Sequence, residues 1–108
     1  MPHQPESQDS LRYTDVNGSN NSNNVTVFAL QRCGPCRDAK AFLDAHDVAY
    51  RYITVDWQLP DTRHAIKQRL EQAHGTRPIY PAIEVNGTLH FGFDAEQWTR
   101  LLDLGNGP

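Results

Sequence analysis

The sequence predicts an α/β domain in which a mixed four-stranded sheet is flanked by three helices, in the order βαβαββα. Three observations predict this class. Short β-branched and aromatic runs alternate with longer segments of helical apolar periodicity, as in strand–helix–strand units. The dipeptide Asn86-Gly87 separates two further strand-like runs, which is typical of a tight hairpin. A last amphipathic segment follows, and 108 residues suit a single domain.

Residues 1–24 are expected to be a flexible polar tail, and residues 25–108 to form the folded domain. The tail holds few apolar side chains and ends in a run of Asn, Ser and Gly from Asn17 to Asn24. Such a composition cannot bury enough apolar surface to offset the entropy lost on folding. The working part of the protein is therefore predicted to begin at Val25.

The first predicted strand is Val25–Leu30, an apolar run that is too short for a helix. After it, Ala39, Phe42 and Leu43 recur at helical spacing with charged residues between them, which predicts an amphipathic helix. A second strand is predicted over Tyr50–Val55. Because strand–helix–strand units cross over right-handed, the first two strands should be parallel.

The second helix is expected to begin near Pro60, with Asp61 as its N-cap, and to stop at Gly75. Two strands then follow, Ala82–Val85 and Thr88–Phe91, and their short connection makes them antiparallel. The spacing from residue 94 to residue 97 resembles a capping box, which predicts a final helix after it.

Charge and hydropathy argue against several classes of partner. The chain has 10 basic and 13 acidic residues, a net charge of −3, and no basic block, so neither nucleic acid nor a membrane surface is an expected partner. No apolar run approaches the roughly 20 residues that span a bilayer, and the N-terminus lacks the basic and apolar regions of a secretory signal. A cytoplasmic protein is therefore expected.

Two cysteines, Cys33 and Cys36, stand where the first strand passes into the first helix. Unpaired backbone N–H groups and the helix dipole stabilise a thiolate there, which lowers a cysteine pKa from about 8.5 to roughly 3.5–7.5. The spacing lets Cys36 resolve a mixed disulfide formed by Cys33, so the pair is predicted to be a two-electron switch. Pro35 suits the first helical turn, Gly34 leaves room for a partner chain, and Arg32 adds positive charge beside the pair.

The same pair has two alternative interpretations. A zinc or iron–sulfur site needs four ligands, but the chain has no third cysteine, and His64 and His74 are too far apart for a zinc-finger pair. A purely structural disulfide is unexpected in a cytoplasmic chain. Redox chemistry is therefore favoured, and no metal ligand is predicted.

Pro81 and Gly92 are candidates for a substrate groove. The bond before Pro81 is either an ordinary trans bond at a strand start or a cis bond, which would expose the Tyr80 backbone to an extended partner chain. Gly92 follows the fourth predicted strand, where it either permits close backbone approach or forms a plain turn before Asp94. The residues alone leave these alternatives open.

In combination, the first strand, the motif Cys33-Gly34-Pro35-Cys36, the helix, Pro81 before the hairpin and Gly92 after it resemble the glutaredoxin family of the thioredoxin fold, over residues 25–104. The resemblance implies a dithiol–disulfide oxidoreductase that acts on protein or low-molecular-weight disulfides. It makes Cys33 the nucleophile, Cys36 the resolving thiol, Pro81 a cis-proline facing them and Gly92 part of the substrate groove. A monomer is the usual expectation for such a small redoxin.

Departures from the family pattern leave two electron sources open, glutathione or thioredoxin reductase. The Cys-Gly-Pro-Cys motif is typical of thioredoxins, yet Arg32 stands where they usually carry Trp. Leu30 and Pro35 replace the Lys and the aromatic residue that glutathione-using members usually carry. Gly92-Phe93 is similar to the Gly-Phe motif of small redoxins that reduce ribonucleotide reductase and draw electrons from thioredoxin reductase. No cofactor is expected to be bound intrinsically.

Arg77 and Glu96 are the candidate contacts of a glutathione tripeptide, because an Arg fork suits carboxylates and Glu suits an ammonium group. The full substrate-binding set comprises Arg32, Gly34, Pro35, Arg77, Tyr80, Gly92, Phe93 and Glu96. The alternative function is a glutaredoxin that carries an iron–sulfur cluster between two subunits, through Cys33 and external thiols. Pro35 and Cys36 argue against it, since they favour disulfide closure.

Overall fold

A mixed sheet of five strands organises the chain, in the order β1-β3-β2-β4-β5. The computed structural model describes residues 11–104. Its strands are β1 (Thr14–Val16), β2 (Val25–Ala29), β3 (Tyr50–Thr54), β4 (Ala82–Val85) and β5 (Thr88–Phe91). Its helices are α1 (Gly34–Ala45), α2 (Pro60–His74) and α3 (Ala95–Leu101), and a 3-10 turn covers Val55–Trp57. No helix within residues 11–104 is long and apolar enough to cross a membrane.

The strand directions confirm the predicted thioredoxin-like topology. Strand β2 runs parallel to β3 and antiparallel to β4, and β4 runs antiparallel to β5. The β4–β5 turn places Asn86 at φ 50° and Gly87 at φ 92°. Left-handed conformations at both central residues are what a tight hairpin of this kind requires.

The predicted number of strands is too low by one. Strand β1 lies in the segment expected to be a flexible tail, and it pairs antiparallel with β3. Its three residues carry no apolar run, so the sequence pattern gives no strand signal there. Side chains hold the segment instead: Arg51 forms a salt bridge of 2.9 Å with Asp15, and the side chain of Gln58 binds the Arg12 backbone. Residues 1–10 of the predicted tail lie outside the described residues.

Helices cover both faces of the sheet, as predicted. One core cluster joins α1 and α3 to the sheet and contains Val25, Val27, Ala39, Leu43, Val48, Tyr50, Ile83, Val85, Trp98 and Leu102. A second cluster joins α2 to the opposite face and contains Phe28, Ile53, Val55, Leu70 and Ala82. Alternation along β2 sends Val25 and Val27 to one face and Phe28 to the other, as the strand period of two requires.

The helix ends correct one predicted cap and confirm another. Asp61 is not the N-cap of α2; Leu59 holds that position without a side-chain bond. The reason is that Pro60 is already the first helical residue, where its missing N–H costs nothing, so Asp61 falls in the first turn. Asp94 does cap α3, because its carboxylate accepts bonds from the amides of Glu96 and Gln97.

The register of three strands brings the candidate site together. Phe28 of β2 lies opposite Ala82 of β4, which lies opposite Phe91 of β5. The segments just beyond these residues therefore meet at one end of the sheet. They are the loop that leads to Cys33, the Tyr80–Pro81 step and Gly92.

Candidate active site

Cys33 and Cys36 form a disulfide at the start of α1, with their Cα atoms 5.2 Å apart. Cys33 is the N-cap of the helix, and its Sγ accepts a hydrogen bond of 3.1 Å from the Cys36 amide. Cys36 is fully buried, whereas Cys33 is partly exposed. A helix N-terminus favours negative charge on that sulfur. The sulfur of Cys33 is therefore accessible to another molecule, whereas the sulfur of Cys36 is buried.

The residues around the disulfide leave its outer side open. Arg32, Gly34 and Pro35 are exposed, and Pro35 lies in the first turn of α1 as predicted. A Cβ added to Gly34 would meet no atom within 4 Å, so the space beside it is free. This is the side from which another chain can reach Cys33.

Asp56 anchors the loop that precedes the disulfide. Its carboxylate accepts a hydrogen bond of 2.9 Å from the Gln31 amide. Sequence reasoning did not single out Asp56, because nothing in the pattern relates the 3-10 turn after β3 to the loop after β2. The contact arises from the parallel pairing of those two strands, which brings their carboxyl ends together.

The peptide bond between Tyr80 and Pro81 is cis, which confirms the expectation drawn from the resemblance. Pro81 is fully buried, and its carbonyl accepts a hydrogen bond of 2.8 Å from the Gly92 amide. Gly92 has φ 87°, and a Cβ built on it would meet only Ile79 Cγ2, at an ordinary 3.9 Å. Glycine is required here by its backbone conformation rather than by crowding.

A groove of about 500 Å³ opens beside the end of β2 and is lined by Leu30, Lys67, Glu71, Arg77, Pro78 and Tyr80. It contains two of the predicted binding residues, Arg77 and Tyr80. Sequence reasoning missed Lys67 and Glu71, although their spacing of four on α2 is a signal that they share one helix face. Neither Lys67 nor Arg77 forms an ion pair within residues 11–104, and the groove holds these two cations together with the carboxylate of Glu71.

Tyr80 has a buried hydroxyl group. Its oxygen has no hydrogen-bond partner among the residues that the structure describes. Burial raises the pKa of Tyr80, and the Asp56 carboxylate raises it further. The hydroxyl therefore stays protonated at neutral pH.

Phe93 and Glu96 lie just before α3 and in its first turn. The Phe93 ring packs on Trp98, at 4.9 Å between centroids, and on Phe42, at 5.5 Å. Glu96 is exposed and does not line the groove that contains Arg77. That Arg77 and Glu96 contact one glutathione molecule stays a prediction.

Metal-ligating side chains do not gather elsewhere in the described chain. Within residues 11–104, no group of three or more His, Cys, Asp or Glu residues is arranged to hold a metal ion.

Comparisons with known proteins place these features in a family. The glutaredoxin family model matches residues 25–90. The glutaredoxin of Methanosarcina mazei Go1 has a similar fold, with a TM-score of 0.75 and 20% identity over 84% of this chain and 87% of that chain. No curated protein sequence matches the chain.

Two further solved structures are more similar in sequence. A buckwheat glutaredoxin in complex with glutathione is 29% identical, with a TM-score of 0.62 over 79% of this chain and 78% of that chain. A dithiolic glutaredoxin of Trypanosoma brucei brucei is 25% identical, with a TM-score of 0.61 over 77% of this chain and 88% of that chain.

Proposed function

This chain belongs to the glutaredoxin family, and we propose that it reduces disulfides through the Cys33–Cys36 pair. The observation that carries the proposal is the asymmetry of the two sulfurs at the start of α1. Cys33 is partly exposed, and its Sγ accepts a hydrogen bond from the Cys36 amide. Cys36 itself is fully buried. An accessible, stabilised thiolate with a protected resolving thiol is what a two-step exchange requires.

In the first step the Cys33 thiolate attacks one sulfur of a substrate disulfide. The substrate S–S bond breaks, a mixed disulfide forms, and the other substrate sulfur leaves as a thiolate that takes a proton from water. Cys36 then loses its proton, its sulfur attacks the Sγ of Cys33, and the mixed-disulfide bond breaks. The second substrate sulfur leaves as a thiolate, which takes up a proton. Two electrons pass to the substrate, and the Cys33–Cys36 disulfide is left for an external reductant.

The groove beside Tyr80 supports glutathione as that reductant. Lys67 and Arg77 offer two cations to its two carboxylates, although Leu30 replaces the cation that glutathione-using relatives usually have. The buckwheat relative, solved with glutathione, supports the same choice. A reducing compartment such as the cytoplasm is where such a pair would act as a reductant, with protein disulfides, including that of ribonucleotide reductase, as candidate substrates.

Two cysteine variants test the reaction. Cys33→Ser should lose all disulfide reductase activity, because it lacks the attacking sulfur. Cys36→Ser should accumulate a mixed disulfide with the substrate, detected as a mass increase that dithiothreitol removes. A Cys33→Ser protein that stayed fully active would overturn the proposal.

The electron donor is tested by NADPH oxidation with the oxidised protein as the acceptor. One arm supplies glutathione and glutathione reductase, the other thioredoxin reductase, and Cys33→Ser is the blank in both. Turnover in the glutathione arm is expected. Turnover with thioredoxin reductase alone would instead place the protein with the redoxins that serve ribonucleotide reductase.

A further inference from the structure

Trp98 is the largest fully buried side chain in the described structure, and its polar atom has an unusual partner. The indole Nε1–H donates a hydrogen bond of 3.2 Å to the carbonyl of Gly92, outside its own helix. A buried indole N–H needs an acceptor, and any backbone carbonyl would satisfy it. Here the acceptor is a residue beside the predicted substrate groove.

Gly92 is tied at both of its backbone polar groups. Its carbonyl is held by Trp98, and its amide donates a 2.8 Å hydrogen bond to the Pro81 carbonyl. Its φ is 87°, and a Cβ added there would meet only Ile79, at 3.9 Å. Because glycine adopts many backbone conformations, the two hydrogen bonds help to hold this one.

Trp98 also contacts the helix that carries the cysteines. Its ring lies edge-to-face on Phe93 at 4.9 Å and on Phe42 of α1 at 6.5 Å. One side chain thus links the body of α1 to the Gly92–Pro81 backbone pair.

We propose that Trp98 is a positioning residue for peptide substrates, because its indole N–H holds Gly92, whose amide in turn binds the carbonyl of Pro81, the residue after the groove-lining Tyr80. The inference rests on the proposed disulfide reductase activity. An extended substrate chain that binds beside Tyr80 then meets a backbone that is already ordered and does not have to order it on binding. Loss of the indole N–H should weaken binding of peptides without changing the attack by Cys33.

The test compares Trp98→Phe with Trp57→Phe, which changes the other tryptophan of the chain, a side chain 51% exposed. Each variant is pre-reduced, freed of reductant and reacted in single turnovers with a cysteine-containing peptide disulfide or with bis(2-hydroxyethyl) disulfide, which has no peptide backbone. The Cys33–Cys36 dithiol supplies the two electrons, so no glutathione mixed disulfide forms. The half-saturating concentration and the maximal rate of these turnovers are the KM and kcat that are compared. For Trp98→Phe, the KM of the peptide should rise about three- to tenfold, the effect of one lost hydrogen bond, with kcat unchanged. The KM of the small disulfide and the pH profile of Cys33 alkylation by iodoacetamide should not change. Trp57→Phe should match the wild type throughout.

An unchanged peptide KM, or an equal rise for both substrates, would overturn the inference. If Trp98→Phe does not fold, benzothienylalanine is placed at position 98 in the Trp57→Phe background. It replaces the indole N–H with sulfur and keeps the ring size. Its effect is judged by the same comparison of KM between the peptide disulfide and the small disulfide. A wild-type protein without any turnover would overturn the proposed function and this inference with it. Normal wild-type turnover with an unaffected Trp98 variant would overturn the inference alone.

Discussion

The carboxylate of Asp56 accepts a 2.9 Å hydrogen bond from the backbone amide of Gln31, in the loop that leads to Cys33. This bond fixes the end of β2 to the turn after β3. We expect Asp56→Ala to lower the free energy of unfolding by about 1 kcal/mol, the usual value of one such hydrogen bond. Asp56→Asn should lower the free energy of unfolding by less than half as much, because its amide oxygen can still accept the hydrogen bond. Urea unfolding of the oxidised protein measures both, and equal losses in the two variants would show that charge rather than the hydrogen bond matters.

The groove that contains Lys67 and Arg77 gives a prediction about glutathione binding. Lys67→Ala and Arg77→Ala should each raise the KM for glutathione by about three- to tenfold at low ionic strength, since each removes a charged partner for a carboxylate. The effect should shrink in high salt. Arg100→Ala, an exposed change on α3, is the matched control. Unaltered KM values in both groove variants would remove glutathione from this groove, and Glu96→Ala should have less effect than either because it does not line it.

Leu30 allows the opposite change, in which a positive charge is added to the groove instead of removed. It lines the same groove. The resemblance to glutathione-using members of the family leads us to expect Lys at this position. We expect Leu30→Lys to lower the KM for glutathione at low ionic strength, since it adds a third cation to the groove. Leu30→Met keeps the apolar contact with the cluster around Phe28 and should leave the KM unchanged. A Lys variant that bound glutathione no better than the Met variant would show that the replacement has no bearing on the electron donor.

How far the sequence predicts this protein depends on whether the relevant signal is local. The Cys33–Cys36 pair, the Asn86-Gly87 turn and the Asp94 cap each rest on short-range chemistry, and the structure confirms their placement. Strand β1 has no such signal. The segment that leads into it is bound by the side chain of Gln58, which is remote in sequence and which no periodicity marks.

The residues that line the groove could likewise be predicted only in part from local sequence signals. Arg77 and Tyr80 could be chosen from their place before the hairpin, but Lys67 and Glu71 enter the groove only because α2 packs against the face that carries Phe28. The two alternatives for Gly92 differ in backbone conformation, which no sequence pattern fixes. The φ of 87° and the open space near Ile79 favour a conformational requirement over a steric one.

Because of Tyr50, the free energy of unfolding should fall as the pH rises in the alkaline range. Burial and then the hydrogen bond to Asp44 raise the pKa of Tyr50 far above its ordinary value. The unfolded chain therefore loses this proton first, near pH of about 10, and the stabilisation that is complete below that pH declines above it. Tyr50→Phe should make the decline shallower by up to about 1.4 kcal/mol per pH unit. Urea unfolding of the oxidised protein at a series of alkaline pH values measures the slope, and Tyr13→Phe, at an exposed tyrosine, should leave it unchanged.

Gln58 gives a prediction about strand β1. It is a buried polar side chain, 3% exposed, and its amide closes two hydrogen bonds with the Arg12 backbone, of 2.9 and 2.8 Å, and one of 2.9 Å with the Thr54 carbonyl. Gln58→Ala removes all three and leaves buried backbone groups unpaired, so we expect a loss of about 2 kcal/mol in the free energy of unfolding. Because Arg12 leads into β1, the amides that pair with β3 should also exchange their hydrogens faster, while those of the β4–β5 hairpin should not. Hydrogen exchange resolves the two regions, and an equal increase in both would mean that Gln58 supports the whole domain rather than the attachment of β1.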